Sequence, residues 1–330
     1  MKVLCVLEPG RAPSTRLRLG DCIDRYRSAG IEINTISARR SSILERLHLI
    51  GEAKNHDVVI LFKTTGFSAL DLRRLRRKNS RIIFDYDDAV MFREQKYGRP
   101  IRLREFEKFV RTLEHCGAVV AGNAFLARFA EACGKRTVVL PTPVDVSKYV
   151  VRKTEPRSLT IGWVGLSDGF GYLRHLQPAF RQLTNFFPAL KLRVISDKPL
   201  ELDGISVENE QWQLEREQIN LSSFTIGIMP LTDTLWARGK CGYKILQYMA
   251  AGIPSVASAV GANRDIITNG ENGFLARTTD DWVRSISTLA EDPVLRTKFA
   301  LKGRELVESK YSLDQFADSY IQLMREVAGS

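Results

Sequence analysis

The chemistry in this chain is concentrated between Ile226 and Gly261, in IGIMPLTDTLWARGKCGYKILQYMAAGIPSVASAVG. The pattern reads as a strand ending at Pro230, a loop carrying Arg238, Gly239 and Lys240, and a helix from about Tyr243 to Gly252. First-turn N–H groups of a helix have no intrahelical partner and sit at the positive end of its dipole. A basic, glycine-bearing loop entering a helix is therefore a place for an anion. Lys240 and Lys244 would add full charges: a charge-assisted bond contributes about 1.5–3 kcal/mol, against roughly 0.3–1 kcal/mol from the dipole. On these magnitudes the lysines, not the helix alone, set the affinity. The plain alternative is two lysines solvated on a helix face.

Other strand ends carry weaker signals. In GWVGLSDGFGYLRHL, Gly165, Ser167, Asp168, Gly169 and Gly171 separate a strand from a helix and allow a close backbone approach to phosphate, although the spacing is not GxGxxG. In PGRAPSTRLR, Pro9 to Arg18, Ser14 and Thr15 are placed to cap the first helix, with Arg16 and Arg18 turned toward the mouth of a cleft. Asn123 in AGNAFL closes another strand at the start of a loop. DYDD at Asp85 to Asp88 could hold Mg²⁺ against a diphosphate, but solvation at the strand end or a ligand contact is preferred over a metal. The four histidines (His48, His56, His115, His175) lack ligand spacing, and there is no GxxxxGK[ST], GxSxG or HExxH.

The elements needed to position these residues alternate strand and helix. KVLCVL, IEINTIS, DVVILFK, RIIFDYD, AVVAGN and RTVVLP read as strands with amphipathic stretches between them, a parallel doubly wound sheet. After a proline-bearing linker within Asp145 to Ser158 a second series begins: LTIGWVG, LKLRVISD, GISVEN, TIGIMPL and PSVAS. The expected layout is a Rossmann-like domain over 1–150, a second over 151–312 and a final helix over 313–330 packing back toward the first. The two domains would face each other across a cleft that holds the ligand.

At YKILQYMAAGIPSVAS, with GFLA after it, ESKYS near the end, and VVLPTPVDVSKY and IGWVG earlier, the chain resembles the retaining GT-B glycosyltransferases of family 4. The resemblance implies an α/β GT-B fold and transfer of a sugar from a UDP-, GDP- or dTDP-sugar to a glycan or lipid-linked acceptor. It further implies retention and a place in cell-surface polysaccharide or lipopolysaccharide synthesis. It makes Gly165, Ser167 and Arg174 part of the donor loop, sets Gly261 and Asn263 against the nucleotide, with Asp265 where a Glu often stands, and puts Ser14, Arg16, Arg18, Asp87 and Asn123 on the acceptor side. The family carries two glutamates eight positions apart around this helix; here those positions are Gly239 and Gln247. Gln247 could still bond ribose hydroxyls, whereas Gly239 offers no side chain. No catalytic residue is assigned, and neither a cofactor nor a metal is expected.

A net charge of +11 favours anionic partners, and the densest cluster, LRRLRRKNSR at Leu72 to Arg81, reads as a surface helix with an apolar underside, suited to peripheral membrane contact or simple solvation. Five dispersed cysteines and the absence of an apolar run long enough to span a bilayer suggest a cytoplasmic protein or one on a membrane face. Three rivals stand beside the glycosyltransferase. One is a non-catalytic nucleotide-sugar-binding protein, raised by Gly239 and Gln247. The others are a GT-B-like epimerase and a nucleic-acid binder, the last resting on charge alone with no recognition motif.

Overall fold

The computed structural model describes residues 1–7, 13–37, 42–151, 158–213 and 221–329. Pro9 to Ala12 of the first loop, and most of the linker's polar half, lie outside the described residues. The chain forms two units: Met1–Pro143 with Thr234–Cys241 and Leu313–Ser330, and Val144–Asp233 with Gly242–Ser312. The boundary thus falls earlier than residue 150, and the basic loop before Tyr243 joins the first unit although its flanks belong to the second.

In the first unit six parallel strands, β1 (Lys2–Leu7), β2 (Glu32–Ser37), β3 (Val58–Phe62), β4 (Ile82–Tyr86), β5 (Ala118–Ala121) and β6 (Arg136–Val139), lie in the order β2-β1-β3-β4-β5-β6. Every residue of β3, β4 and β5 is buried, as expected when helices cover both faces and strands become unbroken apolar runs. The connecting helices are α1 (Pro13–Thr15), α2 (Ile23–Ser28), α3 (Ile43–Glu52), α4 (Ala69–Lys78), α5 (Leu103–Glu114) and α6 (Ala124–Ala132). Ser68 and Asp71 close a reciprocal cap on α4, and the Asn123 side chain caps α6 by accepting from Leu126 N–H.

The stretch read as one first helix is broken. Between α1 and α2 the chain makes a π turn, Arg16–Gly20, whose wider coil buries three successive residues, Leu17, Arg18 and Leu19. Ser14 and Thr15 lie inside helical turns, and no cap bond is made by Thr15.

The second unit contains β7 (Thr160–Val164), β8 (Lys191–Ser196), β9 (Val207–Gln211), β10 (Ile226–Met229), β11 (Ser255–Ser258) and β12 (Phe274–Ala276), ordered β12-β11-β10-β7-β8-β9. The last strand, three residues of the GFLA segment, escaped the sequence reading because it is too short for a period to register. Its helices are α7 (Phe170–His175) and α8 (Gln177–Phe186), then α10 (Tyr243–Ala250), α11 (Asn263–Ile266), α12 (Thr279–Glu291) and α13 (Pro293–Lys310). The short α9 (Leu235–Arg238) and the final α14 (Leu313–Ala328) belong to the first unit, where Phe316, Tyr320 and Met324 complete the core on one face of its sheet.

In both sheets the strand order reverses beside the first strand, between β1 and β3 and between β7 and β10, which marks where the carboxyl ends of the strands leave a ligand crevice. At the second of these points Gly162 and Gly227 are register partners, and a methyl group on either would overlap Phe224 or Tyr248 respectively. The Tyr248 hydroxyl accepts from Val164 N–H at 3.2 Å and donates to Ile228 C=O at 3.3 Å, bridging the two strands. Gly162→Ala and Gly227→Ala should each destabilise the second unit by about 1–3 kcal/mol through overpacking. Urea unfolding followed by tryptophan fluorescence should show lower midpoints for both.

Candidate functional site

The carboxyl edge of the first sheet carries a chain of alternating charges. Its anchor is Arg18, fully buried, whose guanidinium donates to Asp85 at 2.9 Å and to Leu140 C=O at 2.7 Å and lies 4.9 Å from the centre of the Phe316 ring. Burial pushes the Asp85 carboxyl up, with Arg18 pulling against it. This corrects the expectation that Arg18 faces a cleft: the π turn points it inward, where it ties β4, the end of β6 and α14 together. Arg16 is partly exposed and lies 3.5 Å from Asp21.

Beyond Asp85 the chain turns outward. Lys63, at the end of β3, lies 2.7 Å from Asp87 and 2.5 Å from Asp88, and donates to the Ser14 hydroxyl at 3.3 Å. Its backbone has φ of 54°, a left-handed conformation unusual for a lysine and one that stores strain at the site. Asp87 also accepts from Thr142 at 3.3 Å, and Asp88 reaches Lys240 at 3.0 Å. Burial works against the Asp88 carboxylate, but Lys240 and then Lys63 more than offset it and hold its pKa below the ordinary aspartate range. A carboxylate so held is a weak base; Asp88 fixes the position of two ammonium groups rather than taking a proton.

The basic loop is built into this cluster. Asn123 donates to Arg238 C=O at 3.2 Å and Lys240 C=O at 3.0 Å, the Cys241 thiol donates to Asp87 C=O at 3.1 Å, and the Lys240 ammonium lies 4.6 Å from the Trp236 ring centre. Asn123 is therefore a brace for the loop as well as a cap, in place of a free acceptor contact. Gly239 is pressed on Ala89, where a Cβ would come within 2.6 Å of the Ala89 methyl and 2.7 Å of its nitrogen. The missing glutamate has a physical reason: in this packing only glycine fits.

In the second unit, at the end of β7, the Lys244 ammonium lies 5.3 Å from the Trp163 ring centre, and a Cβ on Gly165 would meet the Lys244 Cε at 2.7 Å. Gly165 and Lys244 are thus brought together, with Gly242 (φ 69°) opening α10 without a side-chain cap. Asn263 donates to Ser258 C=O at 2.9 Å, and its Oδ1, buried, has no hydrogen-bond partner among the described residues; it lies by Gly242, where a Cβ would be 3.6 Å away. Gly261 turns the chain after β11 with φ of 52°.

Three further donor candidates are placed as follows. The Ser167 N–H and hydroxyl are both given to Asp197, at 2.6 and 3.1 Å, so that amide is not offered to phosphate. The Gln247 amide is buried and donates to Tyr149 at 3.1 Å instead of facing a ribose. Arg174 is exposed and lies 6.0 Å from the Phe170 ring centre. Lys63 and Trp163 were overlooked, and Asp88 was noticed only as part of DYDD; a lysine directly after the buried run VVILF was the available signal for Lys63. Also unforeseen is a cavity of about 320 Å³ at the ends of β10, β11 and β12, lined by Tyr172, His175, Asp233, Arg264, Arg277 and Trp282 among others.

Two doubly wound parallel sheets in one chain with this strand order define the GT-B architecture. Solved structures agree at the level of fold: sucrose-phosphate synthase from Thermosynechococcus elongatus superposes with a TM-score of 0.77, 14% identity and 100% coverage of both chains. Anabaena Alr3699/HepE, solved with UDP and glucose, gives 0.73 at 13% identity over 99% of this chain and 100% of that one. Residues 160–292, which include most of the second unit, match the glycosyl transferases group 1 family. The lipopolysaccharide core biosynthesis glycosyltransferase LpsE of Rhizobium meliloti is 31% identical over 85 residues, 25% of each chain. The chain thus spans about a quarter of the length of the curated relatives it matches.

Removing the Asp88 charge should destabilise the first unit near neutral pH. Because the native state holds this carboxylate's pKa down, its contribution is complete above about pH 4 and fades as acid protonates it. Thermal midpoints of wild type and Asp88→Asn should therefore differ at pH 7 and converge in acid, as read by circular dichroism. Arg18→Met, leaving Asp85 buried and unpaired, should cost about 3–5 kcal/mol in the same assay.

Proposed function

We propose that this protein is a glycosyltransferase that moves a sugar from a nucleotide diphosphate to a glycan or lipid-linked acceptor, with retention, at the cytoplasmic face of a membrane during surface polysaccharide or lipopolysaccharide synthesis. The observation that carries the reading is the group 1 domain at residues 160–292, whose β7 edge pairs Gly165 with Lys244 beside the uncapped start of α10. There the donor diphosphate would lie against first-turn amides and the Lys244 ammonium, which neutralise charge as the glycosidic C–O bond breaks. The Asn263 Oδ1 would accept from a donor hydroxyl. UDP and glucose in Alr3699/HepE support a nucleotide sugar as the ligand class. On the first unit, the Ser14, Lys63 and Asp88 cluster would orient the acceptor, and no divalent metal is called for.

One observation favours a second reading, a nucleotide-sugar-binding protein without turnover: Gly239 has no room for a side chain and Gln247 is turned inward, so the acidic pair of the resembled family has no counterpart. Calorimetry against UDP, GDP and dTDP sugars, followed by a transfer assay with and without chelator, separates the two. Selective binding with transfer that survives EDTA is expected; binding without transfer would establish the second reading. Lys244→Ala should weaken donor binding by about tenfold or more, the loss expected for one charge-assisted bond. Unchanged affinity would overturn the assignment of the diphosphate site.

A further inference from the structure

Two neighbouring helices on one face of the first sheet leave large apolar side chains in water. Ile43 is 64% exposed, Leu44 80% and Leu47 46% on α3, and Leu70 is 54% exposed on α4. These are not loose ends of the core: Leu49 and Ile50 fill the buried side of α3, and Leu72 and Leu75 that of α4. The two helices pack together, and Arg46 of α3 lies 3.1 Å from Asp71 of α4. Leu70, Arg73, Arg74 and Arg77 recur at i, i+3, i+4 and i+7, so one exposed stripe begins with a leucine and continues in arginines. The only acidic residue of α4, Asp71, is buried and engaged by Ser68 and Arg46, leaving the exposed cations of the helix without a neutralising neighbour on that helix.

Position adds to composition. In a strand-helix unit each helix starts where its strand ends, so the first turns of α3 and α4 lie at the carboxyl edge of the sheet. Ile43, Leu44 and Leu70 therefore share that edge with Lys63, Asp87 and Asp88. Exposed apolar residues are ordinary when scattered singly, but several gathered on adjacent helix starts and bordered by arginines match the pattern of an interfacial surface. There the aliphatic side chains enter the acyl boundary while guanidinium groups meet headgroup phosphates.

We propose that the α3–α4 face docks this protein onto an anionic lipid surface, with Ile43, Leu44, Leu47 and Leu70 inserting and Arg73, Arg74 and Arg77 holding the headgroups. The assignment deepens the lipid-linked acceptor reading, whose membrane location it rests on. It places the Lys63–Asp88 edge next to the bilayer, where the headgroup of a lipid-borne acceptor is presented. Nucleic acid would engage the arginines but has no use for the leucines.

Flotation of the full chain with phosphatidylcholine vesicles, with and without phosphatidylglycerol, tests this directly. The wild type should float only with phosphatidylglycerol and release as salt rises. Charge reversal in Arg73→Glu, Arg74→Glu, Arg77→Glu should weaken binding by about fivefold or more per arginine, and Leu44→Asp, Leu47→Asp should also release the protein. Both variants change only exposed side chains and should keep the wild-type thermal midpoint and nucleotide affinity. Failure of the wild type to float, or flotation of the leucine variant equal to wild type, would overturn the docking face. Loss of vesicle binding with intact nucleotide binding in the variants supports it, and flotation by a wild type that binds no nucleotide would sink the glycosyltransferase reading alone.

Discussion

A guanidinium and a carboxylate, both wholly removed from water, face each other at 2.9 Å in the first unit. Such a pair gains stability only where its geometry leaves few bonding positions unmet, and here Leu140 C=O and the Phe316 ring take part of the guanidinium. The π turn that delivers Arg18, the strand that delivers Asp85 and the helix that delivers Phe316 come from widely separated parts of the chain, and all three meet at the Arg18 guanidinium. Asp87 and Asp88 follow immediately, and the charges built on them, Lys63 and Lys240, inherit their positions from the same anchor.

The fold was legible because both sheets are interior. Strands buried on two faces must be short apolar runs, and the helices between them must be apolar on one side, so strand and helix alternate visibly from KVLCVL to PSVAS. What could not be read was local departure from regular geometry. A π turn has no composition of its own, and nothing in RLRLG announces that Arg18 points inward while its neighbours do too. A strand of three residues leaves no period.

The site was legible by type and less so by partner. Basic residues before Tyr243 and a glycine after β7 stood out in the sequence, and Lys244 lies by Gly165. Yet Lys240 is held by Asp88, Ser167 by Asp197, and Gln247 by Tyr149. Each is a polar side chain whose partner is remote in sequence or unmarked by any spacing rule. The departure at Gly239 was visible as a letter, whereas its cause, the nearness of Ala89, is a matter of tertiary packing alone.

The composition of the first unit from three stretches bears on how the protein is made. Its sheet is finished by Val139, but Phe316, Ala317, Tyr320, Met324 and Val327 supply part of one covering face, and they are translated only after the second unit. A ribosome therefore releases the strands of both units while apolar positions on β1, β3 and β5 still lack their final cover. Assembly of this lobe waits on residues 313–328, and a nascent chain stalled before them would be a natural client for chaperones.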